Sequence, residues 1–158
     1  MQRSSAQSIP GFYRVFFTIF DPLFALGVAY MNCAEPGSIV TSLFPEDGPW
    51  STVTPSHMML FHQSAGALVC LATCMGVMLR YAEDVRVWRI FEFAVLFTDF
   101  PVFYGNCVAL DAQQRLSLDK IRPEEWNVFA ITAFVATVRI LFVAGVGLGK
   151  GTNTKKNA

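Results

Sequence analysis

Charge is scarce in this sequence. Only 15% of its 158 residues are charged, against about 25% in a typical soluble domain, and 12 Lys and Arg balance 12 Asp and Glu. The zero net charge offers no basic surface to a nucleic acid partner. The chain has four cysteines but no Cys-x-x-Cys pair and no zinc-ligand spacing, and it has no Gly-rich phosphate loop or Gly-x-Ser-x-Gly elbow. We therefore expect no metal and no cofactor.

Apolar residues are abundant, at 53% of the chain with 15 phenylalanines. A helix needs about 20 mostly apolar residues, at ~1.5 Å each, to cross a bilayer. Four segments meet that length, and they predict an all-α integral membrane protein, a four-transmembrane-helix bundle. The predicted spans are 12–34, 56–79, 87–110 and 125–148, with a cytosolic tail at 1–11 and a disordered cytosolic tail at 149–158.

The connections predict the orientation and the neighbours. Lys and Arg concentrate in the two tails and in the short connection 80–86, whereas only three lie in the third loop, so both termini are predicted to be cytosolic. Lys155-Lys156 is similar to a dilysine retrieval signal, which favours the endoplasmic reticulum membrane. The short connection predicts that spans two and three are antiparallel neighbours. Residues 35–55, rich in Pro, Gly and Ser, read as an irregular loop.

The third span carries polar residues where a lipid-facing helix would not. Glu92, Asp99 and Asn106 recur every seven residues, so all three lie on one face of the helix. Glu125 and Arg139 belong to a similar seven-residue stripe in the fourth span. Ionisable groups in hydrocarbon are costly and usually face a polar interior with a function.

Counting from the cytosolic end at ~1.5 Å per residue places Asp21 and Arg139 ~13 Å deep and Asp99 ~18 Å deep. We therefore expect these three side chains to meet near the middle of the membrane. By the same count His62 and Gln63 lie ~24 Å deep, one turn beyond, and Glu92 lies only ~7 Å deep. Glu92 is thus expected near the cytosolic mouth, paired with Arg14 or Arg89, and Asn106 near the luminal end.

Two carboxyl groups beside one guanidinium have a definite chemical use. Arginine stays charged and can hold two acids in its planar fork, so one acid can keep its proton while the other stays ionised. The first can protonate a substrate oxygen or alkene, and the second can accept a proton from water or an internal hydroxyl. Asp99 and Asp21 are the predicted acid–base pair and Arg139 orients them. His62, Tyr104 and Glu92 are the predicted assisting residues, and the predicted substrate contacts are Gln63, Asn106, Phe17, Phe20, Phe24, Phe97 and Phe103.

Two other interpretations of these residues stay open. The buried acids and arginine can simply pair and fix the register of the helices. A metal site from His62, Glu92 and Asp99 is a weak alternative, because redox and hydrolytic metals usually take more histidines.

Three segments carry a resemblance to a known family. FYRVFF…DPLFALGVAY, DVRVWRIFEFAVLFTDF and EEWN…VRILFVAGVGLG resemble a family of small four-span fungal membrane proteins, over about Pro10 to Gly149. Some relatives belong to secondary-metabolite gene clusters, and they include epoxide-opening hydrolases or cyclases of polyene polyketides. The positions that match the motifs are Asp21, Arg86, Trp88, Arg89, Asp99 and Arg139.

The resemblance and the buried acids together predict acid–base opening of an epoxide on a lipophilic polyene or terpenoid intermediate, by water or by an internal hydroxyl. A proton-initiated terpene cyclase or isomerase would use the same acids. A third class is a non-catalytic lipid- or sterol-binding protein, or a scaffold at the endoplasmic reticulum. The expected partners are a lipophilic small molecule and membrane lipid, and both a homo-oligomer and association with other pathway enzymes are compatible with the sequence.

Overall fold

A computed structural model of the chain describes residues 9–149. Its four long helices are α1 (Gly11–Ala34), α3 (Pro55–Tyr81), α4 (Val85–Ala112) and α5 (Pro123–Val143), and each is long and apolar enough to cross a membrane. A short helix, α2 (Pro36–Leu43), follows α1, and the described residues form no strand. These helices confirm the predicted all-α fold with four membrane-length spans. Most of both predicted tails, including Lys155-Lys156, lies outside the described residues.

Local sequence signals set the helix boundaries. Thr54 caps α3 by accepting a hydrogen bond from the His57 backbone N–H (3.4 Å), and Asp84 caps α4 by accepting one from Arg86 N–H (2.8 Å). At the far end of α5, Gly145 has a left-handed φ of 84°, and the Val146 N–H bonds back to the Leu141 carbonyl at 2.9 Å. This glycine cap ends α5 at Val143, short of the predicted end at residue 148.

The segment 35–55 also differs from its prediction as an irregular loop, because it contains α2. Pro36 occupies the first turn of α2, where its missing N–H is not needed and its fixed φ favours a helix start. α2 packs against α4 and α5. The segment therefore covers one end of the bundle.

The long helices form two antiparallel pairs. α1 packs mainly on α3, where Asn32 Nδ2 donates to Ser64 Oγ (3.4 Å) and Gly76 lies against Pro22. α4 packs mainly on α5. The short connection holds α3 and α4 close to each other at that end, but it does not make them pack along their whole lengths. Small residues such as Gly76 let α1 and α3 approach closely instead.

An aromatic core joins the two pairs at the end that carries the α3–α4 connection. Phe142 of α5 packs against Tyr13 and Phe17 of α1, with ring centroids 4.9 and 5.2 Å apart, and against Trp88 of α4 at 6.3 Å. Trp88 and Phe17 are almost wholly buried, and the Trp88 indole donates to the Ala82 carbonyl at 2.8 Å. This core closes that end of the bundle just beside its buried charges.

Candidate functional site

Arg139 gathers three carboxyl groups between the two helix pairs. Its Nη2 donates to Asp21 Oδ2 of α1 at 2.5 Å, its Nη1 donates to both oxygens of Asp99 at 2.5 Å, and its Nε donates to Glu92 Oε2 at 3.3 Å. We refer to Asp21, Glu92, Asp99 and Arg139 as the Arg139 cluster. Because Asp21 comes from one helix pair and the other three come from the second, the cluster fastens the two pairs together.

Helix direction explains how one guanidinium reaches two acids that are two turns apart on α4. Side chains of an α-helix lean toward its N-terminus. Since α5 runs antiparallel to α4, this leaning carries the Arg139 guanidinium from the level of Glu92 toward that of Asp99. The planar fork then offers a separate nitrogen to each carboxyl group.

The cluster is buried and has more acids than its cation can neutralise. Glu92 is 0% exposed and Arg139 is 4% exposed, whereas the Asp99 side chain is the most accessible at 13%. Within residues 9–149, Glu92 Oε1 has no hydrogen-bond partner. An unpaired charge in an apolar interior is costly, so three carboxyl groups beside one guanidinium favour a cluster that holds protons. A cluster without net charge holds two.

The structure brings together Asp21, Asp99 and Arg139, as their depths predicted, but the expected position of Glu92 was wrong. Glu92 lies inside the cluster and not at the mouth, and Arg89 donates instead to the Val143 carbonyl at 3.0 Å. The reason is the early end of α5. Arg139 lies only four residues from Val143, about 6 Å along the helix, so it lies level with Glu92.

Of the predicted assisting residues, Glu92 lies in the cluster, whereas His62 and Tyr104 lie away from it, as does the predicted substrate contact Gln63. His62 and Gln63 are exposed on α3, and Tyr104 is 71% exposed on α4. Depth along a helix does not determine which way a side chain points, and these three point outward. Asn106 is buried on the same face of α4 as Glu92 and Asp99.

The phenylalanines predicted as substrate contacts also face mostly outward. Phe17 is buried in the aromatic core, whereas Phe20, Phe24, Phe97 and Phe103 are each at least 41% exposed. Outward aromatic residues cost little in lipid, which is as apolar as a protein core. An apolar groove of about 470 Å³ between α1 and Phe134, and a cavity of about 280 Å³ beside Trp50, are lined by residues outside the Arg139 cluster.

The acidic residues of the described part of the chain are not arranged as a metal site. Among residues 9–149, no group of three His, Cys, Asp or Glu side chains is arranged to hold a metal ion. The weak alternative of a site from His62, Glu92 and Asp99 has no geometric support there, because His62 faces away from the two acids.

A second buried charge belongs to the polar stripe predicted for the fourth span, but its two arginine partners were not predicted. Glu125, at the start of α5, is 0% exposed and accepts from Arg115 Nη1 (2.8 Å), Arg115 Nη2 (2.9 Å), Arg122 Nε (2.9 Å) and the Arg122 backbone N–H (2.8 Å). We call Arg115, Arg122 and Glu125 the Glu125 cluster. Pro123 at the first helical position and Glu125 two residues later are an available signal for such a helix start.

The Glu125 cluster also holds α2 in place. Arg122 Nη2 donates to the Thr41 carbonyl at 3.1 Å, and Gln113 Nε2 donates to the Leu43 carbonyl at 3.0 Å. Both acceptors lie in α2. The cluster therefore closes the second end of the bundle by fixed hydrogen bonds.

Comparison with known proteins gives a family and no activity. No curated protein and no solved structure matches the chain. A family model described as a domain of unknown function, DUF7704, matches residues 6–149. Since the match spans nearly the whole chain, the protein belongs to the DUF7704 family.

Proposed function

We propose that this protein is a membrane-embedded acid–base enzyme that opens an epoxide on a lipophilic polyene or terpenoid intermediate. The observation that carries the proposal is the Arg139 cluster, in which three carboxyl groups share one guanidinium inside an apolar bundle. Such a cluster keeps exchangeable protons at a fixed place, which is the first requirement for a general acid.

In the proposed reaction one aspartate acts as the acid and the other as the base. Asp99, the most accessible acid, donates a proton to the epoxide oxygen as the carbon–oxygen bond breaks. Asp21, which is the ionised aspartate in this step, accepts a proton from the attacking water or internal hydroxyl as the new carbon–oxygen bond forms. Proton transfer from Asp21 to Asp99 within the cluster restores the starting state, and Glu92 keeps a further proton in reserve. His62 and Tyr104 have no part, since both face outward.

The proposed pathway and membrane are supported by the sequence. The resemblance to four-span fungal membrane proteins supports a place in secondary metabolism, and the Lys155-Lys156 motif supports the endoplasmic reticulum membrane. The substrate would then be a lipophilic product of an upstream polyene- or terpenoid-forming enzyme and an epoxidase. The same acids can also start a proton-initiated cyclisation or isomerisation of an alkene.

One observation favours a non-catalytic alternative. The two cavities described above are lined by residues outside the Arg139 cluster, and that cluster joins the two helix pairs. A lipid-binding or scaffold protein needs the cluster only as a fastener. Loss of the acids would then affect folding and nothing else.

The decisive experiment is turnover by the purified chain in lipid nanodiscs. A long-chain isoprenoid epoxide is the test substrate, the matching unepoxidised isoprenoid tests alkene protonation, and ¹⁸O-labelled water separates hydrolysis from internal attack. Asp99→Asn and Asp21→Asn should each lower the rate by about 10²–10⁴, the usual share of general acid–base catalysis. Asp111→Asn, an exposed aspartate on α4, is the matched control and should keep the wild-type rate.

The outcomes are distinguishable by a folding measurement on the same samples. Variants that stay folded, still bind a substrate analogue and no longer turn over support the proposal. Full activity in both Asp99→Asn and Asp21→Asn rules out the mechanism. Variants that only unfold, together with no turnover of either isoprenoid by the wild type, favour the non-catalytic alternative.

A further inference from the structure

Three buried side-chain atoms within residues 9–149 have no hydrogen-bond partner, and two of them mark a path along one face of α4. They are Glu92 Oε1, Asn106 Nδ2 and Ser117 Oγ. Glu92 and Asn106 share one face of α4, and Ser117 lies in the connection between α4 and α5, where its N–H donates to the Arg115 carbonyl at 2.8 Å. The path therefore runs from the Arg139 cluster to the Glu125 cluster.

The register of α4 against α5 places polar residues of both helices along this path. Glu92 contacts Arg139, and Phe103 packs on Phe129 with ring centroids 5.0 Å apart, so the helices are antiparallel. Steps of seven residues from the first contact place one polar residue of each helix at every second turn. The three levels are Glu92 with Arg139, Asp99 with Thr132, and Asn106 with Glu125. We call these six residues the polar seam.

The polar seam lies inside the bundle and not on its surface. Glu92 and Glu125 are fully buried, Asn106 is 6% exposed, and Thr132 is half-buried. Thr132 Oγ1 donates to the Val128 carbonyl at 2.8 Å, and the hydroxyl oxygen keeps lone pairs that can accept a hydrogen bond. At the opposite end the aromatic core of Tyr13, Phe17 and Phe142 adjoins the Arg139 cluster. The seam is the polar route from the cluster toward the ends of the helices.

Water is the molecule that this set of atoms fits. A carboxyl oxygen, an amide nitrogen and a hydroxyl need a partner that can both donate and accept hydrogen bonds. Each buried group left without a hydrogen bond costs about 1–3 kcal/mol. The levels of the seam lie about 10 Å apart along the helices, too far for the side chains of successive levels to meet directly in every case. Buried water typically makes two to four such hydrogen bonds.

We propose that the polar seam holds a chain of bound waters that conducts protons between the Glu125 end of the bundle and the carboxyl groups of the Arg139 cluster. A proton enters at the connection that carries Ser117, passes Asn106 and Thr132 along hydrogen-bonded water, and reaches Asp99 and Glu92. The path returns protons to buried acids that would otherwise be isolated from solvent. It is a property of the resting protein and does not depend on the identity of a substrate.

The test follows the cluster's own protons by infrared spectroscopy in nanodiscs without substrate. The C=O stretch of a protonated carboxyl group shifts when deuterium replaces the proton, and comparison with Glu92→Gln assigns the band. After transfer to D₂O the wild-type band should shift promptly. Asn106→Leu and Thr132→Val should each slow the shift by at least about tenfold, roughly the effect of one lost hydrogen bond in the chain.

Thr137→Val is the matched control, because Thr137 is an exposed residue on the same helix outside the seam. In Thr137→Val the carboxyl band should shift at the wild-type rate. Thr132→Val keeps the shape of the side chain, so it reports on the path even if Asn106→Leu disturbs folding. Wild-type exchange in Thr132→Val, equal slowing in Thr137→Val, or no carboxyl band that depends on Glu92 would each overturn the proposal. None of these results depends on turnover, so the epoxide-opening proposal stands or falls separately.

Discussion

The two buried charged clusters use the same residue types in opposite proportions. The Arg139 cluster has three acids for one arginine, and the Glu125 cluster has two arginines for one acid. In the Glu125 cluster both carboxylate oxygens are bound, and the arginine side chains remain 18% and 27% exposed. In the Arg139 cluster the excess groups are buried, and Glu92 Oε1 has no hydrogen-bond partner among residues 9–149.

The difference follows from what each group can do with excess charge. A carboxyl group can take up a proton and become neutral, so surplus acids can be buried. A guanidinium cannot lose its proton in a protein, so surplus arginines must stay near water. The Glu125 cluster is therefore a complete fastener at one end of the bundle. The Arg139 cluster combines a fastener with a supply of protons, which is why the proposed chemistry is assigned to it.

The largest expected effect comes from removing the one cation of the Arg139 cluster. Arg139→Met leaves three buried acids without a counter-charge and removes the ion pair that joins α1 to α5. The free energy of unfolding should fall by about 3–5 kcal/mol, the usual cost of leaving a buried charge without its partner. Unfolding in mixed detergent micelles, followed by tryptophan fluorescence, measures it.

Arg139→Lys is the companion variant for this measurement. It keeps the charge but loses the planar fork, so it should be less destabilised than Arg139→Met and still less stable than the wild type. Equal stability of Arg139→Met and the wild type would mean that the cluster fastens nothing.

A smaller loss is expected when the acid of the second cluster is neutralised. Glu125→Gln leaves Arg115 and Arg122 without their shared anion, but both are partly exposed and can be hydrated. The free energy of unfolding should fall by about 1–3 kcal/mol, as for other disrupted buried hydrogen bonds. Glu124→Gln is the matched control on the neighbouring exposed residue and should leave unfolding unchanged. The absence of a difference between the two variants would contradict a fastening role for Glu125.

The sequence was sufficient for the spans and for part of the Arg139 cluster. Length and apolar content predict four helices, and the shared depth of Asp21, Asp99 and Arg139 predicts that they meet. The position of Glu92 was missed because it depends on where α5 ends. The left-handed conformation of Gly145 sets that end, and residues 144–148 are apolar enough to be counted as helix.

The directions of side chains around each helix were harder to predict. Apolar residues surround every long helix, because one face meets the core and the others meet lipid, so the pattern that marks the inner face of a soluble helix is weak. His62 and Gln63 were predicted at a depth one turn beyond the cluster, but their side chains are exposed. The Glu125 cluster depends on a loop arginine, Arg115, that no helical pattern relates to α5.

A still smaller effect should separate the two arginines of the Glu125 cluster. Arg122→Gln removes one side-chain hydrogen bond to Glu125 and one to the Thr41 carbonyl, while both bonds from Arg115 remain. The expected loss is about 0.5–1 kcal/mol, because a partly exposed ion pair is screened by water. Raising the salt concentration should shrink the difference from the wild type further. A loss as large as that of Glu125→Gln would show that the two arginines do not share the acid.

The smallest expected change is also the one that compares the clusters most directly. Glu92→Gln keeps the shape of the side chain and an oxygen that can accept from Arg139 Nε, and it removes one carboxyl group from a cluster that has too many. The free energy of unfolding should therefore stay within about 1 kcal/mol of the wild type or rise, since no buried charge is left unpaired. The same exchange of acid for amide in Glu125→Gln lowers stability, because there the acid is in short supply. Measured under identical conditions, the stabilities of these two variants should differ from each other by more than that of Arg122→Gln differs from the wild type. Equal losses would mean that Glu92 is held as a fully ionised partner of Arg139, and Glu92 would then keep no proton in reserve.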